Sequence, residues 1–367
     1  LYEKELESIE KSNRLRNRIV FENNLIDLAS NDYLGLSTNK KLFKKAYKRV
    51  LNNHYFSPKA SMLVNGYSKI HKEFENKLSL FNNFEDAIIV GSGFLANISM
   101  IEALTRKSDT LFIDEEYHAS GILATKLLHH SQVIIFNHND EKDLEEKINI
   151  CTRAGRKIIA IEGVYSMGGD LAKKEIFDIA DKYNTLLIVD EAHSSGVLGK
   201  NLLGIFDYYN IKPTNNHIKM GTLGKAYGSY GAYILASKNI IKFLQNRAKP
   251  IIYSTAPSLF DTALGLESLK YIQKNKKQLS QKIKQKLTII QSYLGINSKS
   301  LIIPILVNDN KKVLEIQKSL KQKGFLVGAI RQPTVKNAII RLIAKIDVSN
   351  SDLIQVCNAI KELNANK

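Results

Sequence analysis

The sequence predicts an α/β fold: a mostly parallel central sheet with helices on both faces, followed by a smaller C-terminal α+β domain. Two patterns carry this. The first is a series of short β-branched apolar runs bounded by turn residues: "DAIIV" (86–90), "TLFID" (110–114), "QVIIF" (132–136), "KIIAIEG" (157–163) and "TLLIVDEAH" (185–193). Runs without polar alternation are strands buried on both faces, the condition of a parallel sheet. The second is the helical spacing between them, as in "DEKDLEEKI" (140–148) and "KKEIFDIADKYN" (173–184), which supplies the crossovers.

The first 25 or so residues read as a polar helical arm. From about Pro250 the pattern changes to a long helical stretch (258–295), then "SLIIPILV" (300–307) and a helix "NKKVLEIQKSLKQKG" (310–324). Strands near 325–331 and 338–344 and a last helix near 350–363 complete the chain. The expected division is an arm over 1–40, a large domain over 41–247 and a small domain over 248–367. No internal repeat or low-complexity linker interrupts it.

The 367 residues, 44% of them hydrophobic, suit a soluble protein of this size. No apolar run is long enough to cross a bilayer and no signal pattern opens the chain. Two cysteines, Cys151 and Cys357, without a CxxC pair, lead us to expect a reducing compartment, by default the cytoplasm, and no structural zinc. The net charge is +17, yet the basic residues are scattered, as in "KKLFKKAYKR" (40–49) and "KNKKQLSQKIKQK" (274–286). They read as polar faces of amphipathic helices without the aromatic interleaving of a base-stacking platform, so no nucleic-acid partner is expected. The charge is either compositional or an attraction for an acidic partner.

The stretch "KMGTLGKAYGSYGAYILAS" (219–237) sets Lys225 among glycines. A Walker A loop would need glycine at 219 and Ser or Thr at 226; Lys219 and Ala226 exclude it. Taken alone, the window also fits a solvated turn. Upstream, "LLIVDEAHSSG" (186–196) runs an apolar strand into Asp190 and His193. Open α/β sheets bind ligands at that end of a strand. No further ligands of matching spacing make the pair a metal site.

A carboxylate in an apolar wall has another use, pairing with a protonated pyridine nitrogen to make pyridoxal 5'-phosphate (PLP) an electron sink. The other parts such a cofactor needs follow in chain order. "IIVGSGFLANISM" (88–100) offers a phosphate-binding helix start, with Gly91, Ser92 and Gly93 at the junction. His118 in "DEEYHASG" (114–121) can lie flat on the ring. Lys225 can hold the aldehyde. The hydroxyls of Ser166, in "EGVYSMGGD" (162–170), and of Thr222 suit the phenolic oxygen and phosphate. Each alone is a capping or packing residue; the ordered set is specific.

With "NDYLGLS" (31–37), "GSGFLANIS" (91–99), "HAS" (118–120), "VDEAHSSGVLG" (189–199), "GTLGKAYG" (221–228) and "YSTAPS" (253–258), the chain resembles the α-oxoamine synthases from about residue 14 to 345. These are PLP-dependent enzymes of transferase fold type I. The resemblance implies Lys225, Asp190 and His118 as catalytic residues, and a cofactor held by Gly93, Phe94, His118, Ser166, Asp190, His193, Thr222 and Lys225. It implies that Ser254 and Thr255 reach the phosphate of the neighbouring subunit's cofactor in a homodimer with shared sites. Arg16 and Thr334 would contact the acyl substrate, Asn31 the amino-acid pocket. Arg341, or Arg331 in its place, would take the amino acid's carboxylate through a bidentate fork. Tyr117 stands where asparagine is common, at a place the resemblance associates with the thioester pocket, and Gly168 where an acidic residue is frequent.

Within the family, "NDYLGLS" and "IRQPTV" (330–335) are most similar to the biotin-pathway branch. That implies decarboxylative condensation of L-alanine with pimeloyl-CoA or pimeloyl-acyl carrier protein. The alternatives are condensation of glycine with acetyl-CoA and a non-catalytic regulator of the same fold. The regulator would need a winged-helix module where 30 residues precede Asn31.

Overall fold

A computed structural model describes residues 1–22 and 24–365. The chain divides into two compact units: a larger one of Leu34–Ser166 and Asp170–Ser280, and a smaller one of Leu1–Tyr33, Met167–Gly169 and Gln281–Lys367. The divisions fall at 33/34 and 280/281 instead of 40/41 and 247/248. Two features of the chain account for the difference. A single helix, Leu259–Leu294, begins beyond the expected boundary and spans the division at 280/281 without a break, so no turn residue marks it. The N-terminal segment is tied into the smaller unit by β1 (Ile26–Asp27), a strand too short to leave a sequence signal.

In the larger unit seven strands form one sheet: β2 (Asp86–Val90), β3 (Thr110–Asp114), β4 (Val133–Phe136), β5 (Lys157–Glu162), β6 (Leu186–Asp190), β7 (His217–Thr222) and β8 (Ala232–Ala236). Their order is β2-β8-β7-β6-β5-β3-β4. Strands β4, β3, β5, β6 and β7 pair in parallel, and β8 runs antiparallel between β7 and β2. One face, with Ile88, Leu111, Ile113, Ile158, Ile188, Ile218 and Ile234, shares a core with Met100, Ile101 and Leu104 of the helix Gly93–Leu104. The opposite face, with Ile89, Phe112, Ile159, Ile161, Leu187 and Val189, is equally buried. Burial on both faces is why the apolar runs are continuous.

The predicted strands omit β7 and β8, although "AYILA" (232–236) is itself an unbroken apolar run. In "HIKMGT" the polar His217 and Lys219 interrupt the hydrophobic pattern, yet both are buried. Lys219 is accommodated by tertiary partners: its Nζ donates to Asn82 Oδ1 at 2.9 Å and to the Leu203 carbonyl, and lies 3.4 Å from Glu191 Oε1. A buried ammonium is tolerated only with such partners, which no local window can reveal.

Because β3, β5, β6 and β7 are parallel, their C-terminal residues Asp114, Glu162, Asp190 and Thr222 share one edge of the sheet. Chemistry-bearing side chains of open α/β sheets gather at that edge.

The smaller unit holds β9 (Ile302–Leu306), β10 (Phe325–Leu326), β11 (Gly328–Ile330) and β12 (Ile339–Ile343). Strand β1 pairs with β10 in parallel, while β11, β12 and β9 form an antiparallel sheet in that order. The helices Asn310–Gln322 and Asn350–Ala365 bury Val313, Leu320, Leu353, Val356 and Ile360. Among the described residues no helix is long and apolar enough to cross a membrane.

One ion cluster secures the sheet edge. His138 Nδ1 is 3.0 Å from Asp114 Oδ1, its Nε2 is 3.0 Å from Asp170 Oδ2, and Tyr165 donates to Asp114 Oδ2 at 2.7 Å. Burial favours the neutral imidazole, but the two carboxylates outweigh it and raise the pKa to about 10. Its stabilisation is therefore complete below the unfolded histidine value of about 6.5 and disappears as pH rises through about 10. Thermal unfolding of wild type and His138→Gln should show a melting-temperature gap that is widest near pH 6 and closes toward pH 10. A gap constant with pH would contradict the charge assignment.

Candidate active site

Three strand ends and two helix starts converge on a cavity of about 190 Å³ in the larger unit. Its lining includes Lys225, His193, Asp190, His118, Thr222, Gly93 and Phe94, all picked out from the sequence, and Asn97, Glu162, Ala192 and Met220, which were not.

Lys225 lies in the turn between β7 and β8. The Lys225 carbonyl accepts from Gly228 N–H at 2.9 Å. Gly228 has φ +56°, and a Cβ there would stand 2.5 Å from Ser37 N, so the turn requires glycine. The Lys225 Nζ sits 2.6 Å from Nε2 of the buried His193. One nitrogen of such a pair must present a lone pair to the other's N–H, which is the arrangement for passing a proton.

Asp190 ends β6 and is 3% exposed. Its Oδ1 accepts from Ala192 N–H and its Oδ2 from Asn97 Nδ2, both at 2.9 Å. Asn97 gives its second amide proton to Ser120 Oγ at 2.9 Å and accepts from the Tyr117 hydroxyl at 2.7 Å. An asparagine amid the apolar helix segment "GFLANISM" is the signal that would have found it, since a buried amide must be paired.

His118 Nδ1 lies 2.6 Å from Ser120 Oγ and accepts from Ser120 N–H at 3.2 Å. Burial lowers the His118 pKa against the pull of Asp190, and the nearby Lys225 lowers it further. Its imidazole is thereby a neutral, flat surface. Glu162, one strand over and in register with Asp190, has the opposite problem. Its Oε2 accepts from Ser166 N–H at 3.1 Å, and its Oε1 has no hydrogen-bond partner among the described residues. Burial and the Asp190 charge push its pKa well up, favouring the neutral acid.

The remaining expected residues lie elsewhere. Ser166 is buried but does not line the cavity; its backbone serves Glu162. Ser254 and Thr255 precede the helix Leu259–Leu294 and do not line their own chain's cavity. In the smaller unit, Arg341 of β12 is buried and donates from both terminal nitrogens to Asn31 Oδ1 at 3.0 Å. Arg16 donates to Thr334 Oγ1 at 3.3 Å. Arg331 is directed to the Asn13 carbonyl instead.

The cavity residues fit PLP. Asp190 is an acceptor held out of water for a pyridinium N–H, His118 a neutral ring for stacking, Lys225 an amine for the aldehyde. The helix Gly93–Leu104 starts at the cavity, and at Gly93 a Cβ would find its nearest neighbours only at 3.9 Å, leaving room for an approaching phosphate.

Fold and site together define a PLP-dependent transferase of fold type I. The family profile described as "Aminotransferase class I and II" matches residues 23–360, and the chain belongs to that family. It is 44% identical to an 8-amino-7-oxononanoate synthase of Helicobacter pylori (strain J99), covering 98% of this chain and 96% of that one. It is 37% identical to a putative 8-amino-7-oxononanoate synthase of Aquifex aeolicus (strain VF5), covering 98% of each. A solved 8-amino-7-oxononanoate synthase from Francisella tularensis superposes with TM-score 0.78 at 27% identity, over 94% of this chain and 99% of that one. A Sphingomonas wittichii serine palmitoyltransferase shares the fold with TM-score 0.86 at 23% identity, over 93% and 88%. PLP is the cofactor of this family and fold.

If Glu162 is a neutral acid, the neutral amide of Glu162→Gln should hold PLP within about threefold of wild type, measured by absorbance titration. A loss of a hundredfold would mean that the carboxylate is ionised and needed as such.

Proposed function

We propose that this chain condenses L-alanine with a pimeloyl thioester to give 8-amino-7-oxononanoate, releasing CO2 and the free thiol. The observation that carries the reading is the Lys225–His193 contact at 2.6 Å beside the buried Asp190 carboxylate. The name of the Helicobacter pylori relative at 44% identity supports the substrate choice. Bound in the cavity, PLP supplies a sink for the electron pair left at the amino acid's α-carbon.

The protein's residues do the rest. Lys225 Nζ would hold the cofactor through its aldehyde and would serve as the base for the α-proton of alanine. His193 Nε2 exchanges a proton with Lys225 Nζ, keeping the amine able to accept one. Asp190 keeps the pyridine nitrogen protonated, and His118 fixes the ring plane. The N–H groups at Gly93 and Phe94, with the Thr222 hydroxyl, bind the phosphate, and Ser166 assists at the phenolic oxygen. Arg341 with Asn31 takes the alanine carboxylate; a buried fork already aligned on one acceptor loses little freedom on binding. Arg16 and Thr334 contact the acyl substrate.

Ser254 and Thr255 serve the partner subunit's phosphate in a homodimer, a reading supported by their position outside their own chain's cavity. We place the enzyme in the cytoplasm, in keeping with its two free cysteines.

Free-thiol release by PLP-loaded protein tests the proposal. L-alanine with pimeloyl-CoA or pimeloyl-acyl carrier protein should be active, and glycine with acetyl-CoA should not. Activity only with the second pairing would overturn the substrate assignment. Lys225→Ala should abolish release, and Asp190→Asn should lower kcat about 10³-fold; substantial activity in Lys225→Ala would sink the mechanism. If the net charge of +17 serves an acidic carrier protein, kcat/KM with that donor should fall steeply with added salt. A shallow response would mark the charge as compositional.

A further inference from the structure

The polar groups beneath the cavity form a chain with one direction. Tyr117 O–H donates to Asn97 Oδ1 at 2.7 Å, and Asn97 donates one proton to Asp190 Oδ2 and the other to Ser120 Oγ, each at 2.9 Å. Ser120 O–H is then left to donate to His118 Nδ1 at 2.6 Å. Each side-chain donor has one acceptor, so a single amide, Asn97, sets both the carboxylate and the imidazole. The amide's own orientation is fixed at its oxygen, where the Tyr117 hydroxyl is the donor.

Tyr117 is 3% exposed, so its phenol cannot exchange this bond for one to water. Burial, followed by the charge of Asp190, pushes its pKa well up and keeps the hydroxyl proton in place. The tyrosine also needs space. A Cβ at residue 121 would fall 2.1 Å from Tyr117 Cε1 and 2.3 Å from Cδ1, inside a rigid ring. Gly121 is thus the residue whose missing side chain admits Tyr117.

We propose that Tyr117 is a positioning residue of the cofactor site: through Asn97 it holds Asp190 and His118 in a fixed relation, and Gly121 is its packing complement. This gives residue 117 a role toward the cofactor-binding groups, through Asn97. The proposal rests on the reading of the cavity as a PLP site.

Two experiments on the full chain test it. First, Tyr117→Phe should keep the ring and lose only the donor. The PLP dissociation constant, followed by absorbance, should rise about 5–20-fold, and the absorption band of the bound cofactor should shift as Asp190 and His118 loosen. A dissociation constant within twofold of wild type with an unchanged band would overturn the positioning role. Second, Gly121→Ala should lower the apoprotein's melting temperature by several degrees, and the same substitution in Tyr117→Ala should cost much less. Equal losses in both backgrounds would overturn the packing half. Failure of the wild-type chain to bind PLP would overturn the cofactor reading, and the positioning role with it. The apoprotein cycle tests the Tyr117–Gly121 contact separately.

Discussion

One buried carboxylate organises this site. Removing an anion from water is costly unless hydrogen bonds replace the lost hydration. Asp190 receives them from Ala192 N–H and the Asn97 amide. Once that charge is fixed at the end of β6, its neighbours must adapt. Glu162, in register on β5, is driven to its neutral form, and Tyr117 holds its proton. His118 loses charge through burial despite the attraction of Asp190. Lys225 and His193, sharing a 2.6 Å contact, complete a cavity in which one negative charge is surrounded by groups chosen to be neutral or to move a proton.

Much of this was legible in the sequence for a physical reason. A parallel strand buried on both faces leaves an unbroken apolar run, so the polar residue that ends it stands out. Asp190 after "LLIV" and His118 beyond "TLFID" were visible in that way. Lys225 became interpretable only beside them. Asn97 and Glu162 went unmarked because their importance lies in register: β5 pairs Glu162 with Asp190, and the helix Gly93–Leu104 carries Asn97 to the same carboxylate from 93 residues away. Ser166, read for its hydroxyl, is outside the cavity lining, and its backbone N–H caps Glu162.

The same logic separates the arginines. Arg341 and Arg331 are both flanked by strand-like sequence, and spacing alone left them as alternatives. Structurally they differ. Arg341 is buried in the middle of β12 with its fork on Asn31, whereas Arg331 reaches the backbone of Asn13. Strand β7 failed to show because its polar residues are satisfied far along the chain, Lys219 by Asn82 across 137 positions. Tertiary pairing of buried polar groups is the information that a linear reading lacks.

The most direct test is to load the protein with PLP, reduce it with borohydride and map the labelled peptide by mass spectrometry. A pyridoxyl group on Lys225, lost in Lys225→Ala and retained in Lys219→Met, is the predicted result. Labelling at another lysine, or none with the cofactor bound, would contradict the assignment of this cavity.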